Sequence, residues 1–480
     1  MTTTPSPDGA RTAAKVSALT LAGLVVGSMV GAGVFSLPGR FAAETGVTGA
    51  VIAWAIAGGG MLMLALVFQR LALRRPDLDA GVYSYARAGF GPYAGFFSAF
   101  GYWASACAGN VFYWVFIMST LGAVFPALGA GDTLLAVVVS SAGLWLFYAL
   151  VRSGAREAAA VNRIVSVAKV LPIVVFVLLC VFAFDPQVFA ANLTGATGAP
   201  VLYEQVRATL LVTVFAFIGV EGASAYSRHA RRRSDVGRAT VLGFLAVLAV
   251  FMSVTIVSYG ILPAEEIAAL RQPSMAGVLE AVVGGWGAVF IGAALVLAVL
   301  GAYLSWTLMA AEVLLVAARA GDLPPVFART NEKDVPVGAL TLSTALVQVL
   351  LVVVLFAADA FDVALNLTSA LALIPYFLTA GFALKLSLTD RTGLSRAART
   401  AQTLVAVLAT AYTGFLLYAA GAEYTLLSLL IIVPATVLYA AARRARGERV
   451  FSAGEWVLFA LAAAGAIAAA ALIATGVLVI

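Results

Sequence analysis

Long apolar stretches alternate with short polar segments along the whole chain. Thirteen stretches come close to or exceed the roughly 20 mostly apolar residues that a helix needs to cross a bilayer core of about 30 Å. The pattern therefore predicts an all-α integral membrane protein with about 13 transmembrane helices, preceded by a tail, residues 1–16, expected to be disordered. The predicted spans are 17–39, 46–70, 94–124, 133–151, 159–184, 205–228, 238–262, 281–318, 337–358, 362–387, 400–420, 424–442 and 454–479.

The composition excludes most other classes of protein. Of the 480 residues, 62% are apolar and 11% are charged, whereas soluble domains average about 45–50% and about 25%. A soluble enzyme or a nucleic-acid-binding module of this length would need far more polar surface. Cys107 and Cys180 both lie in apolar stretches, so no disulfide framework is predicted. The only histidine, His229, lies in a basic loop, which disfavours an intramembrane metalloenzyme, and we expect no cofactor or metal.

The basic residues are concentrated in alternate loops. Of the 29 Lys and Arg residues, 25 lie in the N-terminal tail and one set of loops, whereas the other set holds only Arg40, Arg207 and Arg271. Lys and Arg mark cytoplasmic loops, so the N-terminus is predicted to be cytoplasmic, and thirteen spans would place the C-terminus outside. The run at 228–233, RHARRR, is primarily such a topology signal, although it could also meet anionic lipid.

Three ionisable side chains lie within the predicted spans, away from their ends. They are Glu221, Glu312 and Lys169. A charge in lipid costs several kcal/mol, so such residues face a polar interior or each other and mark a substrate or ion path by default. The alternative is a buried ion pair that only fixes helix packing.

Glycines at two positions predict broken helices. Gly31-Ala32-Gly33 lies in the first span, and Gly219 and Gly222 flank Glu221 in the sixth. Gly27 and Gly31 could instead form a close-packing face. An unwound turn would leave free N–H groups and a half-helix dipole to hold an anion such as an amino acid carboxylate. Breaks in spans one and six predict two five-helix inverted repeats with a midplane site, typical of a secondary transporter.

At these motifs the chain resembles the amino acid–polyamine–organocation (APC) superfamily, more narrowly its basic amino acid/polyamine antiporters, and most closely their arginine/ornithine branch. The resemblance implies the APC/LeuT-like 5+5 fold, with a transporter core at 17–390 and accessory helices at 391–480. The segments that carry it are GSMVGAGVFSLPG (27–39), RRPDLDAGVYSYARAGFG (74–91), GYWASACAGN (101–110), FAFIGVEGASAYSRHARRRSDVG (215–237), LSWTLMAAE (304–312), DLPPVFARTN (322–331) and IPY (374–376).

The resemblance assigns the substrate contacts. The turn Gly31-Ala32-Gly33 would bind the α-carboxylate, with Ala32 where arginine/agmatine members have serine. Carbonyls from Phe215 to Ile218 would receive the α-amino group. Phe215 would also be an aromatic gate; arginine/agmatine members have Trp there, but a Phe face still attracts cations.

Four further positions match residues around the substrate. Trp306 would flank the substrate side chain, and Tyr102 and Asn110 would lie near the site and its outer gate. Tyr376 matches a tyrosine of the cytoplasmic gate.

The three ionisable residues within the spans are predicted to couple transport to protons or to the charge of the substrate. Glu221 matches a proposed proton sensor, and Lys169 matches a lysine that replaces a sodium ion in more distant relatives. Glu312 has an amide counterpart in arginine/agmatine members; it is expected to be a second counter-charge or a partner of Lys169. Two acids and one base leave a net charge of −1, which favours a cationic substrate.

The predicted function is exchange of cationic amino acids across the cell membrane by alternating access, with arginine/ornithine antiport as the leading hypothesis. Amino acid/amine exchange (lysine/cadaverine, ornithine/putrescine, histidine/histamine) and proton-coupled uptake remain alternatives. The expected partners are a small cationic amino acid and the lipid bilayer. Family members are often homodimers. A nutrient sensor on a transporter fold is a further alternative, although no large soluble signalling segment is present.

Overall fold

A computed structural model of the protein describes residues 18–78, 81–154, 159–194, 200–221, 233–357, 359–390 and 395–477. Over these residues the secondary structure is helical, with no strand. The predicted tail at 1–16 lies outside them. The α-helices are α1 Ala18–Met29, α2 Leu37–Glu44, α3 Val47–Arg74, α4 Val82–Phe90, α5 Pro92–Gly122, α6 Leu134–Arg152, α7 Ala159–Phe182, α8 Pro186–Ala191, α9 Leu202–Phe217, α10 Arg233–Ser258, α11 Ala264–Ala269, α12 Ser274–Val283, α13 Gly285–Arg319, α14 Val337–Val353, α15 Ala360–Thr389, α16 Arg396–Ala419, α17 Gly421–Ala445 and α18 Ala453–Ala474.

Ten helices in the described part of the chain are long and apolar enough to cross a membrane. They are α3, α5, α6, α10, α13, α14 with its 3₁₀ extension to Phe356, α15, α16, α17 and α18. The prediction of a multi-span helical membrane protein is therefore confirmed. The remaining three predicted spans, 17–39, 159–184 and 205–228, correspond to α1 with α2, to α7 and to α9.

The first predicted span is broken where its glycines lie. Helix α1 ends at Met29, and a 3₁₀ turn, Ala32–Ser36, leads directly into α2. Gly31 lies between them in an extended conformation, with φ −108° and ψ −162°. The predicted interruption of this span is thus present in the backbone.

The helix of the sixth predicted span ends just before Glu221. Helix α9 stops at Phe217, and Ile218 leaves the helical conformation with ψ 131°. Gly219 follows with φ 107°, a left-handed conformation that side-chain-bearing residues rarely adopt. Residues 222–232, including Gly222 and most of the basic run at 228–233, lie outside the described residues, so the second half-helix stays a prediction.

Helix α5 forms the centre of the bundle. Nearly all of its side chains are buried, whereas α18 is mostly exposed. The most extensive packing of α5 is against α15 and α13. Outer helices carry large exposed apolar side chains, such as Leu146 on α6 and Leu461 on α18. Exposed apolar faces around a buried centre are what a bundle surrounded by lipid requires.

The last helix is joined to this centre by one carboxylate. Glu455 forms a capping box with Ser452 at the start of α18. Its Oε1 also accepts a hydrogen bond of 2.8 Å from the backbone N–H of Tyr93, in the first turn of α5. A carboxylate at a helix N-terminus satisfies N–H groups that have no partner within the helix. Glu455 therefore serves the start of two helices at once.

A buried acid joins two polar segments at the same end of the bundle. Asp322, which follows α13, accepts hydrogen bonds from Tyr83 Oη (2.6 Å) and Arg87 Nε (2.9 Å) of α4. Burial raises the pKa of the Asp322 carboxyl above its usual value, and the bonds from Tyr83 and Arg87 oppose that change. These contacts connect the helix that precedes α5 to the end of α13.

Candidate functional site

The carboxylate of Glu221 is the meeting point of three helices. Its Oε1 accepts a hydrogen bond from Tyr102 Oη of α5, and its Oε2 accepts one of 2.6 Å from Tyr376 Oη of α15. The backbone N–H of Gly219 also donates to Oε2, at 3.2 Å. Hydrogen bonds to an ionised group are stronger than neutral ones. The end of the broken helix α9 is thereby attached to both α5 and α15.

This geometry brings together two tyrosines that the resemblance assigned to different gates. Tyr102 and Tyr376 are both buried, and Tyr376 also packs edge-on against Phe68 at a centroid distance of 5.8 Å. Because one carboxylate accepts hydrogen bonds from both hydroxyls, a change at Glu221 would act on both tyrosines together.

Phe215 lies directly against the break in the first span. A Cβ built on Gly33 would lie 2.8 Å from Phe215 Cδ1 and 2.9 Å from Cε1. The same ring packs against Phe112 of α5, with 4.6 Å between centroids. Only a glycine permits this close approach, because any side chain at position 33 would enter the space of the ring. The structure therefore brings Phe215 onto the turn formed by Gly31, Ala32 and Gly33.

The helical turn after the break begins without a side-chain cap. Its N-cap is Gly31, and no side chain accepts a hydrogen bond from the first N–H groups. Such groups have no partner within a helix, and they are suited to binding an anion. Ala32 and Gly33 are buried. A Cβ on Gly31 would meet only Tyr113 Oη, at 3.9 Å.

Asn110 connects α5 to α13 beside Trp306. Its Nδ2 donates to Thr307 Oγ1 at 3.2 Å. Its Oδ1 is buried and has no hydrogen-bond partner among the described atoms. Trp306 is half-buried against the apolar core. The Asn110 side chain is therefore bonded to the residue that follows Trp306, the aromatic predicted to flank the substrate. Its Oδ1 is an acceptor without a partner among the described atoms.

Lys169 and Glu312 occupy different environments. Lys169 lies half-buried on α7, whereas Glu312 is exposed on α13 although that helix is strongly apolar. No ion pair joins the two in the part of the chain that is described. The alternative of a Lys169–Glu312 pair is therefore not found. Glu312 shares its face of the helix with Ser305, which lies seven residues earlier and is also exposed.

The sequence analysis missed three side chains near these residues. Phe112 packs on Phe215, Tyr113 approaches Gly31, and Met309 Sδ accepts from Tyr102 Oη at 3.4 Å. Helical spacing offered a signal for one of them, since Tyr113 lies eleven residues, or three turns, after Tyr102. Phe112 and Met309 resemble any other apolar residue of a buried helix.

Comparison with known proteins gives a consistent result. The family described as "Amino acid permease" matches residues 16–422. An arginine/ornithine antiporter from Pseudomonas aeruginosa is 47% identical over 459 residues, covering 94% of this chain and 95% of the relative. An L-lysine transport protein from Corynebacterium glutamicum is 38% identical over 96% of both chains. An arginine/agmatine antiporter from Chlamydia abortus is 37% identical over 94% of both chains.

Proposed function

We propose that this chain, which belongs to the amino acid permease family, exchanges cationic amino acids across the cell membrane by alternating access, with arginine for ornithine as the exchanged pair. The observation that carries the proposal is the contact between the broken first helix, whose N–H groups are uncapped, and Phe215 near the end of α9, the helix that stops just before Glu221. The names of the relatives, two antiporters of arginine and a lysine transporter, agree with it.

The substrate binds through its backbone groups first. Its carboxylate meets the N–H groups at Gly31, Ala32 and Gly33, and its amino group meets carbonyls at Phe215–Ile218. The helix dipole at this start favours the negative group, and the C-terminal end of α9 favours the positive one. Phe215 closes over the substrate, because its ring already touches the turn at Gly33.

The cationic side chain then points along α13. Asn110 Oδ1, a buried acceptor with no partner among the described atoms, takes an N–H of the guanidinium or ammonium, and Trp306 provides an aromatic face. Return of the empty carrier is disfavoured, because the unwound backbone groups would lack partners in the membrane. Exchange is therefore close to obligatory. Arginine and ornithine both carry one positive charge, so their exchange is electroneutral.

The topology follows from the basic loops. The carrier has thirteen spans arranged as two five-helix inverted repeats plus three accessory helices at 391–480, with a cytoplasmic N-terminus and an external C-terminus. Helices α1 and α2 form the interrupted helix of the first repeat, and α9 ends at the break that interrupts its counterpart in the second repeat. Lys169, on the fifth span, ties that helix to the carbonyls near Gly27–Val30.

Glu312 is the second counter-charge, on the inner half of the pathway. An exposed carboxylate is costly in contact with lipid, so its face of α13 lines a polar vestibule. We expect Glu312→Gln to weaken arginine or ornithine about tenfold relative to a neutral amino acid, since a charge at about 10 Å contributes roughly 1–2 kcal/mol at an effective dielectric near 20. Competition assays in proteoliposomes measure this ratio.

A matched control removes a charge of the same sign elsewhere. Glu332 is exposed in the segment between α13 and α14, and Glu332→Gln should leave the ratio unchanged. An unaltered preference in Glu312→Gln would show that this carboxylate does not act on the substrate.

The function is tested by counterflow. Proteoliposomes preloaded with ornithine are challenged with labelled arginine, lysine, agmatine or histidine, and arginine should accumulate fastest. Faster uptake of agmatine or another amine would favour amino acid/amine exchange. Uptake into empty vesicles driven by a pH gradient would favour proton-coupled transport. Binding without movement of label would contradict transport altogether.

A further inference from the structure

A groove at one end of α3 lies outside the candidate substrate site. It is lined by the last turns of α3, α15 and the first turns of α16, and it encloses about 300 Å³ of empty space, part of it open to the outside. Its polar residues are Arg70 and Arg74 from α3, Ser387 from α15 and Gln402 from α16; the remaining lining is apolar. We call it the α3–α15–α16 groove.

The two arginines of the groove differ in their partners. Arg74 donates to Asp390 Oδ2 at 2.7 Å and to Gln402 Oε1 at 3.0 Å. Arg70 is half-buried, and its only hydrogen bond among the described residues is a long one, 3.4 Å, to the Ala401 carbonyl. No carboxylate in that part of the chain lies within ion-pair distance of it. A guanidinium has five donors and remains charged, so Arg70 has donors to spare.

The surroundings of Arg70 favour an anion. Helix α16 begins at Arg396, and its first turn adds Arg399. Helix N-termini carry a partial positive charge. No acid is among the described residues that line the groove, and the nearby Asp390 forms an ion pair with Arg74. The local field is therefore positive.

The apolar walls of the groove continue onto the outer surface of the bundle. Leu386 and Val405 are partly exposed within it, and Leu404 and Leu408 on the adjoining face of α16 are 58% and 46% exposed. Exposed leucines on a membrane helix face lipid. An occupant with a phosphate at Arg70 can thus extend an acyl chain along this surface, which a free inorganic anion cannot do.

We propose that the α3–α15–α16 groove binds an anionic phospholipid, with its phosphate on Arg70 and an acyl chain along Leu386 and Val405. The basic loops mark this end as the cytoplasmic one, so the lipid comes from the inner leaflet. Its bound phosphate neutralises the arginine of the groove that has no carboxylate partner among the described residues. The lipid connects α3 to α16 at a point where Arg74 donates to Gln402 and Arg70 makes only a long hydrogen bond to the Ala401 carbonyl.

The test is lipid binding to the purified full-length protein by native mass spectrometry. Phosphatidylglycerol and phosphatidylcholine are titrated in parallel, and the wild-type protein should retain phosphatidylglycerol in preference. Arg70→Gln should lower that affinity about tenfold, the effect of losing a hydrogen-bonded ion pair. Arg70→Lys should lose less. Arg444→Gln, which removes an exposed charge from the end of α17, should leave binding unchanged.

A second variant tests the groove without touching its charge. Ala383 is partly exposed in the wall of the groove, and Ala383→Phe should fill the space and lower phosphatidylglycerol binding similarly. This variant decides the matter if Arg70→Gln fails to fold. Equal binding in wild type, Arg70→Gln and Ala383→Phe would overturn the proposal. Displacement of the lipid by millimolar inorganic phosphate would also overturn it, because it would identify a free-anion site.

Discussion

Glu221→Gln is expected to flatten the pH dependence of exchange and to lower its maximal rate about tenfold. The carboxylate accepts from Tyr102, Tyr376 and the Gly219 N–H. An amide has one acceptor oxygen, so a tyrosine hydroxyl would face an NH₂ group instead. Hydrogen bonds to a charged group contribute about 1.5–3 kcal/mol each, and a loss of that size corresponds to about tenfold or more.

The direction of the pH effect follows from the charge. Under the proposed role of Glu221 as the proton-sensitive group, loss of its negative charge weakens the attraction for a cationic substrate, so wild-type affinity should fall as the pH falls. In Glu221→Gln no charge is present to be removed, and the slope should disappear. Uptake of labelled arginine into proteoliposomes at a series of pH values measures both quantities.

Tyr102→Phe is the matched control for this substitution. It removes one hydrogen bond but keeps the carboxyl, so it should slow exchange while preserving the slope. A Glu221→Gln protein with the wild-type pH profile would show that another group senses protons. A flat profile in Tyr102→Phe would assign the effect to packing instead of charge.

Gly33→Ala is expected to reduce exchange at least about tenfold. The new methyl group would lie 2.8 Å from Phe215 Cδ1, closer than Cβ atoms are found to other heavy atoms. The ring cannot withdraw freely, because Phe112 packs on it at 4.6 Å. Overpacking of this kind costs about 1–3 kcal/mol, and here it falls where the 3₁₀ turn Ala32–Ser36 meets α9.

Two further variants separate this steric effect from a general need for glycine. Gly31→Ala should be much milder, since its Cβ meets only Tyr113 Oη at 3.9 Å and its backbone is extended. The double variant Gly33→Ala/Phe215→Leu should recover part of the lost activity, because a smaller side chain relieves the contact. Equal losses for both glycines, or no recovery, would contradict the assignment. Initial rates of arginine–ornithine exchange, normalised to purified protein, are the measurement.

Much of the architecture was predictable from hydropathy alone. A membrane helix must satisfy its backbone internally and present apolar side chains to lipid, so the linear pattern carries the information. Ten predicted spans have helices that match. The break at Gly31 was also predictable, because several glycines in the middle of a span are poor helix formers. Hydropathy alone shows 17–39 as one span, and its glycines are what predict that α1 and α2 are separate helices.

The candidate site was only partly predictable. Glu221 stood out because a carboxyl is rare within a span, whereas Tyr102 and Tyr376 depended on the resemblance. Their convergence on one carboxylate joins residues 119 and 155 positions apart from it, and no local pattern encodes such a distance. The sequence analysis also considered a Lys169–Glu312 pair, and the described residues show no such pair. Two opposite charges within predicted spans need not meet in the folded chain.

The sequence by itself determined the class of protein, the positions of most spans and the rarity of charge within them. These properties depend on transfer of each side chain between water and lipid, which is a property of the residue. Tertiary structure alone decided that Phe215 rests on Gly33 and that two tyrosines share Glu221. It also decided that Arg70 lies in a groove beside α16 without a carboxylate partner among the described residues. Those outcomes depend on how helices distant in sequence pack, because a contact is a property of two surfaces and not of either residue.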